Sequence, residues 1–202
     1  MKNNKIHKMV IAALLCAIGI IIPMFSPVKL VLEPASFTLA SHVAIMIAMF
    51  VSPTVAIFVS LGTTLGFLMA GFPIVVVIRA FSQVVWAFGG AYYLMKKPET
   101  MKSLPKMIVF FFVISLIHGG LEMISVCPFY FGNNLGAGYY NKGFVYAVLG
   151  LVGGGTVIHG MVDFAISVVV YKALLTIRSI KAVCQVKEVF TSDEHVAKTV
   201  TE

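Results

Sequence analysis

The chain has 202 residues, of which 59% are hydrophobic and only 11% are charged, and its formal net charge is +7. A soluble globular domain carries about a quarter charged residues, so this composition excludes a soluble fold and predicts a protein that lies in a lipid bilayer. The positive charge does not indicate nucleic-acid binding, because the cations fall between apolar stretches and do not line one polar face.

Apolar stretches recur along the chain at the length that a helix needs to cross a bilayer, which is roughly 20 residues. Six qualify or nearly do: residues 9–25, 38–51, 54–70, 73–95, 107–127 and 155–177. The second is short and is separated from the third only by Ser52 and Pro53, which predict a sharp turn. The first resembles a signal peptide, but no small-residue cleavage site follows it, so we expect it to be retained as the first helix.

The fold class predicted is therefore an all-α membrane protein, a bundle of six transmembrane helices. Residues 1–180 form a single domain, and residues 181–202 form a polar cytoplasmic tail that we expect to be mobile and solvated. Residues 143–152 are apolar but too short to span, and three glycines separate them from the last stretch. We interpret them as a short helix that caps the outer face; a re-entrant segment and an extension of the last span are the alternatives.

The distribution of cations predicts the orientation. Lysines and arginines concentrate before the first span, between the fourth and fifth, and after the sixth, whereas the opposite loops hold only Lys29 and Lys142. Because cytoplasmic loops carry the excess of Lys and Arg, both termini are expected in the cytoplasm.

Polar and ionisable residues form a line along each of three spans. Residues three or four positions apart share one face of a helix. This spacing groups Arg79, Gln83 and Trp86 on the fourth span, Ser115, His118, Glu122 and Ser125 on the fifth, and Thr156, His159, Asp163 and Ser167 on the sixth. Ser41 and His42 lie at the outer end of the second span.

The depth of the ionisable residues indicates their role. At about 1.5 Å per residue, Arg79, His118, Glu122, His159 and Asp163 all fall in the outer half of a hydrocarbon core roughly 30 Å thick. No comparable group lies in the inner half of the predicted spans. Ionisable residues within a membrane usually face a cavity or the bundle interior, so we predict a ligand pocket open to the outside. Trp86, with Tyr139, Tyr140, Asn133 and Asn134 in the outer loop, suits a small, flat, polar ligand.

Other interpretations of these residues stay open. Arg79 can be a structural partner of Asp163 or Glu122, because a buried charge needs a counter-charge. His118 with Glu122, and His159 with Asp163, can satisfy each other at i, i+4. The same four residues form a plausible metal-ligand set, although the H-E-x-x-H motif is absent and no Cys joins them; we expect neither metal nor cofactor.

The first span carries a small-residue motif. Ala13 and Ala17 form A-x-x-x-A, and Gly62 and Gly66 make a similar pair on the third span. Small residues at this spacing let helices approach closely. We interpret the glycine pair as internal packing, and the alanine pair as a contact with a partner subunit.

Together these features resemble the substrate-binding S components of energy-coupling factor (ECF) transporters, which import vitamins into bacteria. The stretches EPASFTLASHVAIMIAMF (33–50), SLGTTLGF (60–67) and GFPIVVVIRAFSQVVWAFGG (71–90) are similar to the niacin-type member. The resemblance implies a multi-pass protein of the bacterial plasma membrane that captures a small vitamin, most closely nicotinate. Arg79 would pair with its carboxylate, a histidine would bind the ring nitrogen, and Trp86 would stack on the pyridine.

The resemblance also implies partners and a mechanism. Ala13 and Ala17 would meet a transmembrane coupling subunit that sits with two ATPases. The loop containing Lys29 and Glu33 and the loop containing Asn133 and Tyr139 would close over the pocket. The chain has no phosphate-binding G-x-x-x-x-G-K-[ST] motif, so ATP hydrolysis is left to the partners. Two rival functions are a membrane-embedded metalloenzyme that uses the His/Glu/Asp cluster, and a standalone proton-coupled transporter.

Overall fold

The computed structural model describes residues 2–32 and 35–191 of the chain. These residues form helices α1 (Lys2–Phe25), α2 (Val43–Val51), α3 (Pro53–Met69), α4 (Ile74–Lys96), α5 (Leu104–Phe131), α6 (Ala137–Asn141), α7 (Gly155–Leu174) and α8 (Arg178–Val183). Strands β1 (Lys29–Leu32) and β2 (Ala35–Thr38) make an antiparallel hairpin in which Lys29 pairs with Thr38 and Leu32 with Ala35. A 3₁₀ helix, Pro98–Lys102, joins α4 to α5, and a π-helical segment, Val145–Gly154, precedes α7.

The described residues contain four helices that are long and apolar enough to cross a membrane: Asn4–Phe25, Ile74–Lys96, Leu104–Phe131 and Val145–Leu174. They coincide with the first, fourth, fifth and sixth predicted spans, so the all-helical, multi-pass prediction is confirmed at this level. Helix α3 is a shorter apolar helix. The second predicted span is the most altered, because residues 38–42 end the hairpin and form a turn, and only nine residues remain helical.

Helix α2 lies at the centre of the molecule. All nine of its residues are buried, and α1, α3, α4 and α7 pack around it. Ser52 and Pro53 make the predicted turn between α2 and α3: the Ser52 hydroxyl accepts a hydrogen bond from the Val55 N–H at 3.3 Å, and Pro53 occupies the first helical position. A proline costs nothing there, because that N–H has no partner in a helix.

The glycine pair on α3 brings it close to α1, as predicted for internal packing. A Cβ atom at Gly62 would collide with Cys16, and one at Gly66 would collide with Ile20. The alanine pair lies on a different side of α1: Ala13 and Ala17 are exposed.

Residues 145–154 continue directly into α7, which corrects our interpretation of them as a separate outer cap. Together they form one helix from Val145 to Leu174. The glycines do not break this helix, because they lie where it crosses α5: a Cβ at Gly119 would be 2.8 Å from the Gly153 carbonyl oxygen. The extension was the alternative left open from the sequence.

The segment after α8 is not solvated along its whole described length, in contrast to the expected tail. Cys184, Val186 and Val189 are buried at the end of α2. The N–H groups of Gln185 and Val186 donate to the carbonyls of Val51 and Phe50, each at 3.1 Å. The last carbonyls of a helix have no partner within it, so this segment caps α2 where solvent is excluded.

Candidate functional site

A polar cavity lies at the end of the bundle where α1 and α5 end and where α4 and α7 begin. Its volume is about 330 Å³, at the small end of the range for ligand pockets of roughly 300–1,000 Å³. Three phenylalanines contribute to its wall: Phe37 from β2, Phe67 from α3 and Phe72 from the α3–α4 turn. The polar side chains that line it are Thr38, Ser41, His42, Thr63, Arg79, Gln83, Glu122, Thr156 and His159.

Arg79 and Glu122 form a buried ion pair across the α4–α5 contact. The Arg79 Nε donates to Glu122 Oε2 at 2.8 Å, and its Nη2 donates to the same oxygen. The Thr156 hydroxyl also donates to Oε2, at 3.2 Å, and His118 Nε2 lies 3.3 Å from Oε1. Of the two counter-charges considered for Arg79, the structure selects Glu122. One carboxylate thereby joins three helices.

Asp163 has a different role, because its carboxylate binds backbone. It accepts hydrogen bonds from the N–H of Ala40 at 2.7 Å and the N–H of His42 at 2.9 Å, and the His42 Nδ1 lies 3.0 Å from Oδ2. Ala40 has a positive φ of 66°, a conformation that is uncommon for a residue with a side chain. Asp163, fully buried on α7, therefore fixes the turn that leads from the hairpin into α2.

The three histidines form a contiguous cluster around His42. Its ring is 4.6 Å from that of His118 and 5.0 Å from that of His159, both edge-on. His159 Nε2 lies 3.3 Å from Asp163 Oδ2 and 3.1 Å from the Ser41 hydroxyl. The i, i+4 pairs that the sequence indicated, His118 with Glu122 and His159 with Asp163, are both present.

The predicted site residues occupy two layers. His42, Arg79, Gln83, Glu122 and His159 line the cavity itself. The other three are fully buried behind them: Asp163 supports His42, His118 supports Glu122, and the Trp86 ring packs on that of His118 with 5.0 Å between centroids.

The predicted loop residues lie in different places. Tyr139 is near enough to Arg79 and Glu122 to interact electrostatically, and burial raises the pKa of its phenol, so the side chain stays neutral at physiological pH. Asn133 is exposed, with a left-handed φ of 59°. Lys29 lies in β1, and Glu33 falls outside the described residues.

Several wall residues were not identified from the sequence. Phe37, Phe67 and Phe72 are ordinary apolar residues in a hydrophobic chain, so no pattern distinguished them. Thr63 lies in the S-L-G-T-T-L-G-F stretch, and its buried hydroxyl has no hydrogen-bond partner among the described residues. This hydroxyl oxygen packs against α1, because a Cβ built at Gly19 would lie 2.8 Å from it.

Two overlapping groups of side chains have the geometry to hold a metal ion. His42, His118 and Glu122 form one and His42, His159 and Asp163 the other, with all ligand atoms of each group within 4.8 Å of one another. In the first group, the positively charged Arg79 guanidinium that binds Glu122 would repel a metal cation. In the second, two backbone N–H groups already bind the Asp163 carboxylate. The carboxylates that would bind a metal ion in both groups are therefore already bound to other protein groups.

Comparison with known proteins agrees with the sequence-level resemblance. No family model and no solved structure matches the chain. The chain is 43% identical over 164 residues to the niacin transporter NiaX of Lactococcus lactis subsp. cremoris (strain MG1363), an alignment that covers 81% of the chain and 72% of that protein. This relative is a transporter and not an enzyme, which argues against the metalloenzyme alternative. At this identity and coverage, the chain belongs to the family of the niacin transporter NiaX.

Proposed function

We propose that this protein is the substrate-binding subunit of an ECF-type importer, and that it captures niacin as nicotinate in the cavity beside Arg79. The observation that carries the proposal is a small, polar cavity that combines a partly exposed guanidinium with phenylalanine walls. The related transporter is named for niacin, which gives the ligand class. The resemblance of the sequence to S components gives the transport mechanism.

The cavity chemistry fits a small aromatic carboxylate. A guanidinium has five N–H donors, and the contacts of Nε and Nη2 with Glu122 leave other donors for a ligand carboxylate. Glu122 balances the charge of Arg79 before the ligand binds. The flat pyridine ring would pack against Phe37, Phe67 and Phe72, which line the cavity.

The ring nitrogen of nicotinate needs a donor. The Gln83 amide lines the cavity. This amide, or a histidine of the cluster, would donate a hydrogen bond to the pyridine nitrogen. Trp86 supports the site through its contact with His118.

The orientation that we propose places the cavity on the outside. The six predicted spans would lie in the bacterial plasma membrane with both termini cytoplasmic, although α2, with nine helical residues, is too short to cross the bilayer by itself. Residues 181–202 form the cytoplasmic tail, of which 184–190 is docked on the bundle. Lysines concentrate at the end of the bundle opposite the cavity, as the positive-inside tendency requires.

The partners that we propose are a transmembrane coupling subunit and its two ATPases. Helix α1 exposes Ala13 and Ala17, and small exposed side chains allow a second helix to approach closely. Loading from outside would be followed by toppling of the S component against the coupling subunit and release inside. The loop that contains Lys29 and Glu33 and the loop with Asn133 and Tyr139 would cover the loaded cavity.

Intrinsic fluorescence offers a direct test of ligand binding. The chain has one tryptophan, and Trp86 is connected to Arg79 through His118 and Glu122. Nicotinate added to the purified protein, without ATP or metal, should give a saturable change in tryptophan emission, which calorimetry should reproduce. If neither nicotinate nor nicotinamide binds in either assay, the assigned ligand is wrong.

A further inference from the structure

A second hollow lies at the opposite end of the bundle from the cavity. Its volume is about 320 Å³, and its wall combines the end of α7, the start of α8, the 3₁₀ helix and the segment after α8. Four lysines line it: Lys102, Lys172, Lys181 and Lys187. Lys172 lies 13 positions after His159, which is roughly 20 Å along the helix, so this hollow is separate from the site described above.

The charge of the hollow is strongly unbalanced. Glu188 is the one acidic residue among its lining residues, and it forms an ion pair with Lys102. That contact holds the pKa of the Glu188 carboxyl below its usual range. The described residues include no ion pair of Lys172, Lys181 or Lys187 within 4 Å, although Lys181 also helps to lower the pKa of the Glu188 carboxyl. Three ammonium groups around one hollow repel one another unless an anion lies between them.

The surroundings indicate that this anion belongs to a lipid. Leu175 and Val189 add apolar wall to the hollow. Val169, three residues before Lys172 and on the same face of α7, is exposed and apolar, so an acyl chain can lie along this face of the helix beside the lysines. A soluble phosphate would use the charges but not this apolar strip. Basic pockets at the cytoplasmic ends of transmembrane helices are suited to anionic lipid headgroups.

We propose that this hollow binds the phosphate headgroup of an anionic phospholipid of the inner leaflet, through Lys172, Lys181 and Lys187. The inner-leaflet assignment rests on the proposed orientation; the binding chemistry does not. Lys187 and Val189 belong to the segment that caps the carbonyls of α2. A bound headgroup would therefore hold this segment against the bundle and stabilise the whole protein.

The test compares lipids on the full-length protein in neutral detergent. Phosphatidylglycerol should form discrete adducts in native mass spectrometry and raise the unfolding temperature, and phosphatidylcholine should do neither. Inorganic phosphate and glycerol 3-phosphate are added separately to distinguish a free anion from a lipid. If phosphate alone competes the lipid away, the hollow is a soluble-anion site; if phosphatidylcholine acts equally, the charges are not involved. Either result overturns the proposal.

A matched pair of variants assigns the adduct to this hollow. Changing Lys172, Lys181 and Lys187 to Gln should reduce phosphatidylglycerol affinity about tenfold or more. Changing Lys96, Lys97 and Lys106 to Gln removes the same charge from the same end of the bundle and should leave affinity unchanged. An equal loss in both variants overturns the proposal. Because the triple change can impair folding, the exposed Lys181→Glu is measured as well and should weaken binding alone. Nicotinate binding should be unchanged in all of these variants, because the nicotinate cavity lies at the other end of the bundle.

Discussion

Arg79 is the residue on which the proposed ligand recognition would depend most directly. Its guanidinium lines the cavity while Glu122, Thr156 and His118 fix the geometry around it. Glu122 is buried and Arg79 is only partly exposed, and charge-assisted hydrogen bonds are about twice as strong as neutral ones. A ligand carboxylate would enter an arrangement that is already oriented.

Replacing Arg79 with Ala should weaken nicotinate binding by about 10- to 100-fold, the value of one or two charge-assisted hydrogen bonds. Nicotinamide, which has no carboxylate, should lose much less if it binds at all. Calorimetric titration of both ligands measures the difference. Arg178→Ala is the control, because that arginine is exposed near the opposite end of the bundle. Equal affinities for nicotinate in the Arg79 variant and the parent would return Arg79 to a purely structural role.

Asp163 is the second residue with a sharp prediction. Asp163→Ala removes the acceptor of two backbone N–H groups and of His42, and breaking such a buried charged contact costs about 3–5 kcal/mol. The unfolding temperature should fall clearly, and nicotinate affinity should fall with the displacement of His42. Ser167→Ala, one turn further along α7, loses only a bond to Phe164 within its own helix and should change little. A stable Asp163 variant with normal affinity contradicts the positioning role.

At the scale of elements, the contact between α1 and α3 depends on the absence of side chains. Gly62→Leu places atoms where Cys16 already lies, and overpacking of this kind costs about 1–3 kcal/mol. The unfolding temperature in detergent should fall. Gly89→Leu is the matched control, because a Cβ added at Gly89 meets nothing within 4 Å. If both variants unfold at the same temperature, the close approach of α1 and α3 is not tight.

The capping of α2 is the other prediction at this scale. The Gln185 amide donates to the carbonyls of Met49 at 2.7 Å and Ala91 at 2.9 Å, so it links α2 and α4. Gln185→Ala leaves two carbonyls without this donor, at about 1–3 kcal/mol for each group that stays unsatisfied. Hydrogen exchange at the end of α2 should accelerate. Gln83→Ala, at the other end of α4, should leave that exchange unchanged. Protection that is equal in both variants would mean that the segment does not stabilise α2.

At the scale of the whole molecule, binding and transport should separate. Ala13→Trp places a large ring on the exposed face of α1 and should block uptake by the assembled importer, because a close helix contact cannot form. Nicotinate binding by the isolated subunit should be unaffected, since Ala13 is remote from the cavity. Val169→Trp on the exposed side of α7 controls for a bulky ring elsewhere. If the Ala13→Trp variant still supports uptake, this face of α1 is not the contact with the coupling subunit.

Helical periodicity is a local property, and for that reason the sequence predicted a great deal of the site. Spacing at i, i+4 placed Arg79 with Gln83, His118 with Glu122, and His159 with Asp163 on common faces, and depth brought the three faces to one level. The structure places all of these residues at one end of the bundle. The turn at Ser52 and Pro53 and the packing role of Gly62 and Gly66 were equally local and equally predictable.

Other features depend on contacts between distant segments. Which carboxylate pairs with Arg79 is decided by how α4, α5 and α7 cross. The docking of the segment after α8, with Cys184, Val186 and Val189 buried, depends on the unpaired carbonyls at the end of α2. By sequence, the glycines before α7 predict a break between two helices. In the structure the helix continues through them, because α5 packs closely against this point.

The sequence by itself thus determined the membrane class, four long spans and the ionisable residues of the site, because composition and period require only neighbouring residues. Only the tertiary structure decided that Glu122 holds Arg79 while Asp163 holds the turn before α2. It also placed Trp86 behind the cavity and three phenylalanines in its wall. Apolar residues are too common in a membrane chain for any pattern to mark the few that face a cavity.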